Sequence, residues 1–259
     1  DRFTCHSKSQ ENFRTSSLNV IKNKRIHLGK SMENFDAWVG KTESTSDFSN
    51  VRTIQMLQAL LNQKDNMINH LPDLSHWLYF LPIFNQQELS DDGHPRKGGF
   101  LPPIPFPKRM WAGGRLQFLR PIALNQNIRR DSEIIKVEFK QGKSGNMYFV
   151  TVKHSIYAKN ELVIVEEQDI VYRDVSNQVQ PAVSQSAIPT PSIESKPFSY
   201  KQAFPIDTPT LFRYSALTFN SHKIHYDRPY AMQEEGYPGL VVHGPLLATL
   251  LVHYFKQNY

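Results

Sequence analysis

The sequence predicts an α+β fold, and three observations carry that expectation. Residues Val51–Asn62 (VRTIQMLQALLN) set Val51, Ile54, Leu57, Leu60 and Leu61 along one helical stripe. Four strand-like segments then run between Arg115 and Arg173, of which Arg115–Pro121 alternates and Asn146–Tyr157 does so with period two. The turns between the later segments, Gln141–Gly145 and Lys159-Asn160, are short enough to make their flanks antiparallel neighbours. One long helix laid against such a sheet is a two-layer α+β unit.

The chain has 259 residues, which suits two modest domains or one large one. Residues 1–35 form a basic tail, and the first thirty carry only Asp1 and Glu11 as acids. That composition fits a presequence remnant and a disordered basic tail equally. The first residue is Asp1 rather than Met, which reads as processing or a fragment. Order is expected from about Asp36. After the helix, seven prolines between Pro72 and Pro107 make regular structure sparse. The expected strands are Arg115–Pro121, Asp131–Lys140, Asn146–Tyr157 and Leu162–Arg173. Residues 174–200 lose hydrophobic periodicity to Ser, Gln and Pro and read as a linker. The last block is helical. Thr208 is a candidate N-cap with Pro209 in the first turn, and Asp227 and Pro229 repeat the arrangement for a shorter helix. Pro245 opens a third helix with Leu246, Leu247, Leu250, Leu251 and Tyr254 along one face.

Composition excludes several classes of function. The single cysteine, Cys5, rules out an intrachain disulfide and a cysteine zinc cluster. The longest apolar run, Gly239–Val252, is interrupted by His243 and Pro245 and falls short of the roughly 20 residues a membrane helix needs. A net charge of +6 favours anionic partners, but the cations come in pairs such as Lys24-Arg25 and Arg129-Arg130 with no nucleic-acid motif around them. A solvated basic surface is the better reading, and no nucleic-acid partner is expected.

The chemistry concentrates at FRYSALTFNSHKIHYD, residues 212–227. There a polar loop presents Asn220, His222 and His225 within six positions, with His243 and His253 further on. Ten histidines in the whole chain make this a local concentration. Metal binding by His222, His225 and His243 is a weak reading, because neither HExxH nor CxxC is present. Acid–base catalysis suits histidine near neutral pH. For any lone histidine, capping a helix or bonding backbone is the commoner role.

The same segment resembles the signature of the MaoC-like, R-specific enoyl-thioester hydratases, Asp-x-Asn-Pro-hydrophobic-His. Asn220 falls on the aspartate, His222 on the asparagine, Lys223 on the proline, Ile224 on the hydrophobic position and His225 on the histidine. VVHGP, Val241–Pro245, is similar to the start of that family's central helix. Within the family, LSHWLYFLP, DGHPRKGGFLPP, MWAGGRLQF, EEQDIVYRD and EGYPGLVVHGPL resemble the mitochondrial type 2 hydroxyacyl-thioester dehydratases and bacterial mesaconyl-CoA hydratases. The likeness spans roughly 36–173 and 205–259.

The resemblance implies a double hot-dog fold, with a long helix wrapped by antiparallel sheet in each unit. Residues 36–173 would be a degenerate first unit, 174–200 the linker and 201–259 the catalytic unit. That unit would stop after its central helix, leaving the leucine face without its covering strands, which predicts a truncated chain or cover from another one. The implied activity is reversible dehydration of (3R)-3-hydroxyacyl thioesters in mitochondrial fatty acid synthesis, in the matrix. It would act on acyl-CoA or acyl carrier protein, with no cofactor and no metal. The alternatives are a mesaconyl-type hydratase for a short dicarboxylic acyl-CoA and a non-catalytic acyl-binding protein. A homodimer is compatible with the family.

His225 would handle the C2 proton. Asn220 stands where the broad family has aspartate. It cannot be a general base, but its amide can orient a water or the C3 hydroxyl. His222 is a candidate for the second proton, whose carrier stays open. The N–H of Gly244 at the last helix start would bind the thioester oxygen, with the missing side chain allowing close approach. The merely structural reading is that Gly244 lets this helix pack on the sheet. His243 and Tyr226 flank the motif and join the substrate-binding candidates. Trp111, with Trp77, Tyr79 and Phe80, would line an acyl channel or equally fill the core. Arg115 or Lys108 would meet the pantetheine phosphate, on charge alone.

Overall fold

The computed structural model describes residues 34–63, 68–142, 145–174 and 203–258. The expected basic tail and linker fall outside these residues except at their margins, Asn34, Phe35 and Asp174.

Five strands build the sheet: β1 (Thr42–Phe48), β2 (Lys108–Phe118), β3 (Asn127–Gly142), β4 (Gly145–Ala158) and β5 (Glu161–Arg173). Their order is β1-β3-β4-β5-β2 and every pairing is antiparallel. Lys159 and Asn160 take φ of 50° and 63°, a turn whose twist matches a hairpin between β4 and β5. The helix α1 (Val51–Leu60) follows β1, capped by the Asn50 side chain, which accepts the Thr53 N–H at 2.9 Å. It buries Ile54, Leu57 and Leu60 among sheet residues Ile128, Ile156 and Val163. A helix placed after the first strand of a 1-3-4-5-2 sheet is the hot-dog arrangement, so the expected fold class holds.

Two elements differ from the expected ones. TESTSDF forms β1 although it lacks an apolar alternation; it is an edge strand paired only with β3, and its inward side chains are half-buried. Strand β2 begins at Lys108, seven residues early, and bulges between Trp111 and Gly113.

One face of β4 carries Tyr148, Val150 and Val152 into one apolar cluster, and Ile156 and Ala158 into another. A buried polar belt lies between the clusters. His154 Nδ1 is 2.9 Å from Ser132 Oγ, and Glu166 pairs across the strands with His154. Glu166 takes His76 Nε2 at 3.0 Å and the Trp77 indole N–H at 2.9 Å. Burial pushes the Glu166 carboxyl up, but these partners outweigh it and hold it below the usual carboxylate range.

The C-terminal helices add to the first apolar cluster. They are α2 (Thr208–Leu217), α3 (Arg228–Gln233) and α4 (Gly244–Asn258). Asp207, not Thr208, caps α2, because its carboxylate reaches the Thr210 N–H at 2.9 Å and Thr208 is already helical. Asp227 caps α3 as expected. The leucine face of α4 divides. Leu246 and Leu250 are buried with Leu57, Leu60, Tyr214 and Leu217, whereas Leu247 and Leu251 are 44% and 71% exposed. Each fully buried leucine contributes about 1.5–3 kcal/mol. Among the described residues no helix is long and apolar enough to cross a membrane.

Candidate active site

The loop after α2 is shaped by its own backbone. Asn220 N–H returns to Ser215 O at 2.9 Å, and Asn220 Oδ1 accepts the His222 N–H at 3.0 Å. This Asx turn occupies the amide oxygen. The two amide hydrogens have no partner among the described residues, which leaves Asn220 able to donate to a substrate oxygen or water. A single 3-10 turn, Lys223–His225, then buries Ile224 and His225.

His225 is locked in one tautomer. Its Nδ1 lies 2.7 Å from Val241 O, so Nδ1 carries the hydrogen and Nε2 of the neutral ring keeps a lone pair. Val241 N–H answers by donating to Ile224 O at 2.9 Å. The His225 ring stacks on His243, with centroids 3.6 Å apart and planes 18° apart. His243 is bonded through Nε2 to Ser215 Oγ at 2.9 Å. On its other side His225 meets His222 edge-on at 5.6 Å, and His222 lies 4.0 Å from the ring of His94. His94 Nδ1 is 2.9 Å from the Asp92 carboxylate. Four imidazoles thus form a row from an acidic residue of the first half to the start of α4.

Burial opposes charge along this row. It pushes His222 down to about 3, helped by His94 and His225, and His243 down to about 3, helped by His225. It also lowers His94 and His225, against the opposing pull of Asp92 on the first and Val241 O on the second. A neutral, tautomer-fixed His225 is a base ready to accept a proton. Burial raises the Asp92 carboxyl, but the His94 bond and charge more than reverse this and keep it ionised.

Gly244 is the first residue of α4 and directly follows His243, so the His225 ring sits beside that helix start. The Gly244 N–H has no partner among the described residues, and Pro245 offers none. A Cβ on Gly244 would come within 2.7 Å of Trp111 Cε3. The missing side chain therefore admits the indole of Trp111 on β2, which is the helix-on-sheet packing read from sequence.

The structure brings Asn220, His222, His225, His243, Gly244 and Trp111 together. Tyr226 lies at the margin, 47% exposed, with its hydroxyl donating to Ser221 O at 3.0 Å. Arg115 stands apart on β2, exposed and engaged with Asp169 and Glu167. Lys108 pairs with Glu235. Tyr79 and Phe80 are core residues, 3% and 4% exposed, and Trp77 is tied to Glu166. A separate cavity of about 300 Å³, lined by His76, Phe118, Arg120, Ile164 and Lys256 among others, contains none of the eight candidates.

Sequence reasoning missed Asp92, His94 and Arg109. Ser221 Oγ donates to Gly93 O at 2.5 Å, and Lys223 N–H donates to Asp92 O at 2.9 Å. Gly93 has φ of 89°, and a side chain there would run into the Ser221 carbonyl. The glycine in DDGH was the available signal. Ligand atoms of Asp92, His94 and His222 lie within 4.8 Å of one another, the spacing of a potential metal site. The Asp92–His94 bond already engages two of those groups with each other. We expect Gly93→Ala to separate turn from loop and cut turnover at least tenfold with a Tm loss of several degrees. An unchanged Tm and rate in that variant would show the clasp to be dispensable.

Residues 74–259 match the family model described as hydroxyacyl-thioester dehydratase type 2. The chain is 47% identical over 227 residues to mesaconyl-C(4)-CoA hydratase of Chloroflexus aurantiacus, covering 86% of this chain and 78% of that protein. It is 31% identical over 247 residues to the mitochondrial hydroxyacyl-thioester dehydratase type 2 of Schizosaccharomyces pombe, covering 82% and 79%. Its fold is similar to HtdX of Mycobacterium tuberculosis, with TM-score 0.53, 14% identity and coverage of 82% and 74%. It is also similar to a MaoC-like dehydratase from Phytophthora capsici, with TM-score 0.52, 12% identity and coverage of 85% and 75%.

Proposed function

The chain belongs to the hydroxyacyl-thioester dehydratase type 2 family and is an enoyl-thioester hydratase/dehydratase, and from that premise we propose that it interconverts (3R)-3-hydroxyacyl and trans-2-enoyl thioesters at His225. What supports this is a tautomer-fixed imidazole stacked on His243 and, at the next residue, a Gly244 N–H with no partner among the described residues. The lone pair on His225 Nε2 takes the C2 proton. The Gly244 N–H, at the positive end of α4, binds the thioester oxygen as charge develops there. Asn220 orients the C3 hydroxyl.

A place in mitochondrial type II fatty acid synthesis, in the matrix and with acyl carrier protein as carrier, is supported by the Schizosaccharomyces pombe relative. A second reading has its own observation. Arg109 sits close enough to His94 and His222 to hold protonation of both down. Among the described residues no carboxylate lies within ion-pair distance of it. A cation so placed suits a substrate with a second carboxylate, as in a mesaconyl-type acyl-CoA, and the Chloroflexus relative points the same way.

Hydration of crotonyl-CoA and of mesaconyl-CoA, followed by loss of enoyl-thioester absorbance, tests both readings. Activity on either supports the reaction. Inactivity on both favours the acyl-binding alternative. For the dicarboxylic reading, Arg109→Gln should cut kcat/KM for mesaconyl-CoA about 10–100-fold, the worth of one charge-assisted bond, and leave crotonyl-CoA within threefold. Equal losses on both substrates would remove Arg109 as the carboxylate site.

A further inference from the structure

Position 220 carries an amide, which cannot itself move the second proton. Dehydration needs one proton removed from C2 and another delivered to the departing C3 oxygen. Among the described residues, the acid hydrogen-bonded to the histidine row comes from the other half of the chain. The turn Asp92–His94 is clasped to the catalytic loop by Ser221 Oγ on Gly93 O and by Lys223 N–H on Asp92 O. It places the His94 ring 4.0 Å from that of His222, with Asp92 behind it at 2.9 Å from Nδ1.

We propose that His94, oriented by the Asp92 carboxylate, is the second proton-handling group of the site, serving where an aspartate at position 220 would have served. This rests on the acyl-thioester reading above. Asp92 fixes the hydrogen on His94 Nδ1 and leaves Nε2 as the working atom, just as Val241 O does for His225. In the dehydration direction the C2–H bond breaks and its proton goes to His225 Nε2. The freed electron pair becomes the C2=C3 bond. The C3–O bond breaks as that oxygen takes a proton from His94 Nε2 and leaves as water. Hydration reverses each step. The row therefore carries one proton beyond its neutral state. That proton sits on His94 beside the Asp92 carboxylate when the hydroxyacyl thioester is bound, and on His225 when the enoyl thioester is bound. His222, between the two rings, offers the path that resets it.

His94 is the catalytic partner here and Asp92 its positioning residue. The charged and titratable groups that face His94 are Asp92 and Glu235, which favour its protonation, and Arg109, which opposes it; His222 lies against its ring. Removing the Asp92 charge should therefore make the extra proton harder to hold.

The test compares wild type, His225→Gln, His94→Gln, His94→Gly, Asp92→Asn and Asp92→Glu in crotonyl-CoA hydration. Binding of butyryl-CoA, which cannot react, reports an intact pocket. His94→Gln should lower kcat about 100-fold or more while butyryl-CoA binds within threefold of wild type. Imidazole should restore part of the rate to His94→Gly. In the hydration direction His94 must start neutral, so Asp92→Asn should move the acidic limb of the rate–pH profile to lower pH, and Asp92→Glu should move it back.

Retention of kcat within threefold in His94→Gln overturns the proposal. So does a rate loss matched by lost butyryl-CoA binding in both His94→Gln and Asp92→Asn, which would make the dyad a clasp alone. So does wild-type activity that is lost to a chelator and restored by zinc, which would make Asp92, His94 and His222 a metal site. A wild type inactive on both crotonyl-CoA and mesaconyl-CoA refutes the proposed function itself. An active wild type with a dead His225→Gln and an unaffected His94→Gln refutes only the role of the dyad.

Discussion

Replacing His225 by glutamine should reduce kcat for crotonyl-CoA hydration by about a thousandfold or more, within the range that positioned acid–base groups supply. The size follows from how little else can replace the ring. His222 and His243 flank it, but His243 is bonded to Ser215 at one nitrogen and, at the other, is buried with no partner among the described residues. The His222 ring packs against that of His94. Glutamine is the informative substitution because its amide can still donate to Val241 O, where alanine would leave that carbonyl unpaired and open a void against His243. Folding stability should then change by only about 1 kcal/mol, within the spread expected for a replaced hydrogen bond. Circular dichroism melting and turnover, measured on one preparation, separate the two effects. A variant that melts normally and retains a tenth of the rate would remove His225 from proton transfer.

Much of this site was legible in the sequence because its decisive features are local. The caps at Asp227 and the start of α4, the spacing of Asn220, His222 and His225, and the neighbouring His243-Gly244-Pro245 all lie within short stretches. Strands β3, β4 and β5 were legible for the same reason: period-two patterning joined by tight turns. What escaped depends on long-range contact. β1 is polar and gains its identity only from pairing with β3, far along the chain, from Phe48 with Asn127 to Thr42 with Glu133. Asp92 and His94 read as an ordinary turn, because the loop they support comes 128 residues later. Charge alone nominated Arg115, but Asp169 and Glu167 claim that guanidinium. Arg109, six residues earlier on the same strand, faces the histidine row instead, and nothing in composition or periodicity distinguishes the two.

The neutral row that makes His225 a base should also make the fold acid-labile, beginning well above the range where carboxylates titrate. His222 and His243 are pushed down to about 3, and His154 in the buried belt to about 4, in each case chiefly by burial. The unfolded chain binds protons at these rings near the ordinary histidine value of 6.5, while the folded chain resists until far lower pH. Between those limits the unfolded state holds more protons, so stability must fall as pH drops. It is fully present above about 6.5 and declines down to roughly 3–4. Glu166 and Asp92 also lose stabilisation in acid, since both carboxyls are held below their usual range, but that loss begins only below about 4.5. The window from 6.5 to 4.5 therefore belongs to the histidines. Each tenfold weakening of proton binding in the folded state corresponds to about 1.4 kcal/mol. Even partial expression of that weakening at two or three rings removes several kcal/mol from a domain holding about 5–15. Urea midpoints at pH 7.5, 6 and 5 should fall steadily. His243→Asn, which can keep a bond to Ser215, should flatten that slope at some cost in stability at pH 7.5. A midpoint that stays constant from 7.5 to 5 would mean that these rings bind protons as readily in the folded state as in the unfolded one, and with that would go the neutral His225 that the proposed C2 deprotonation requires.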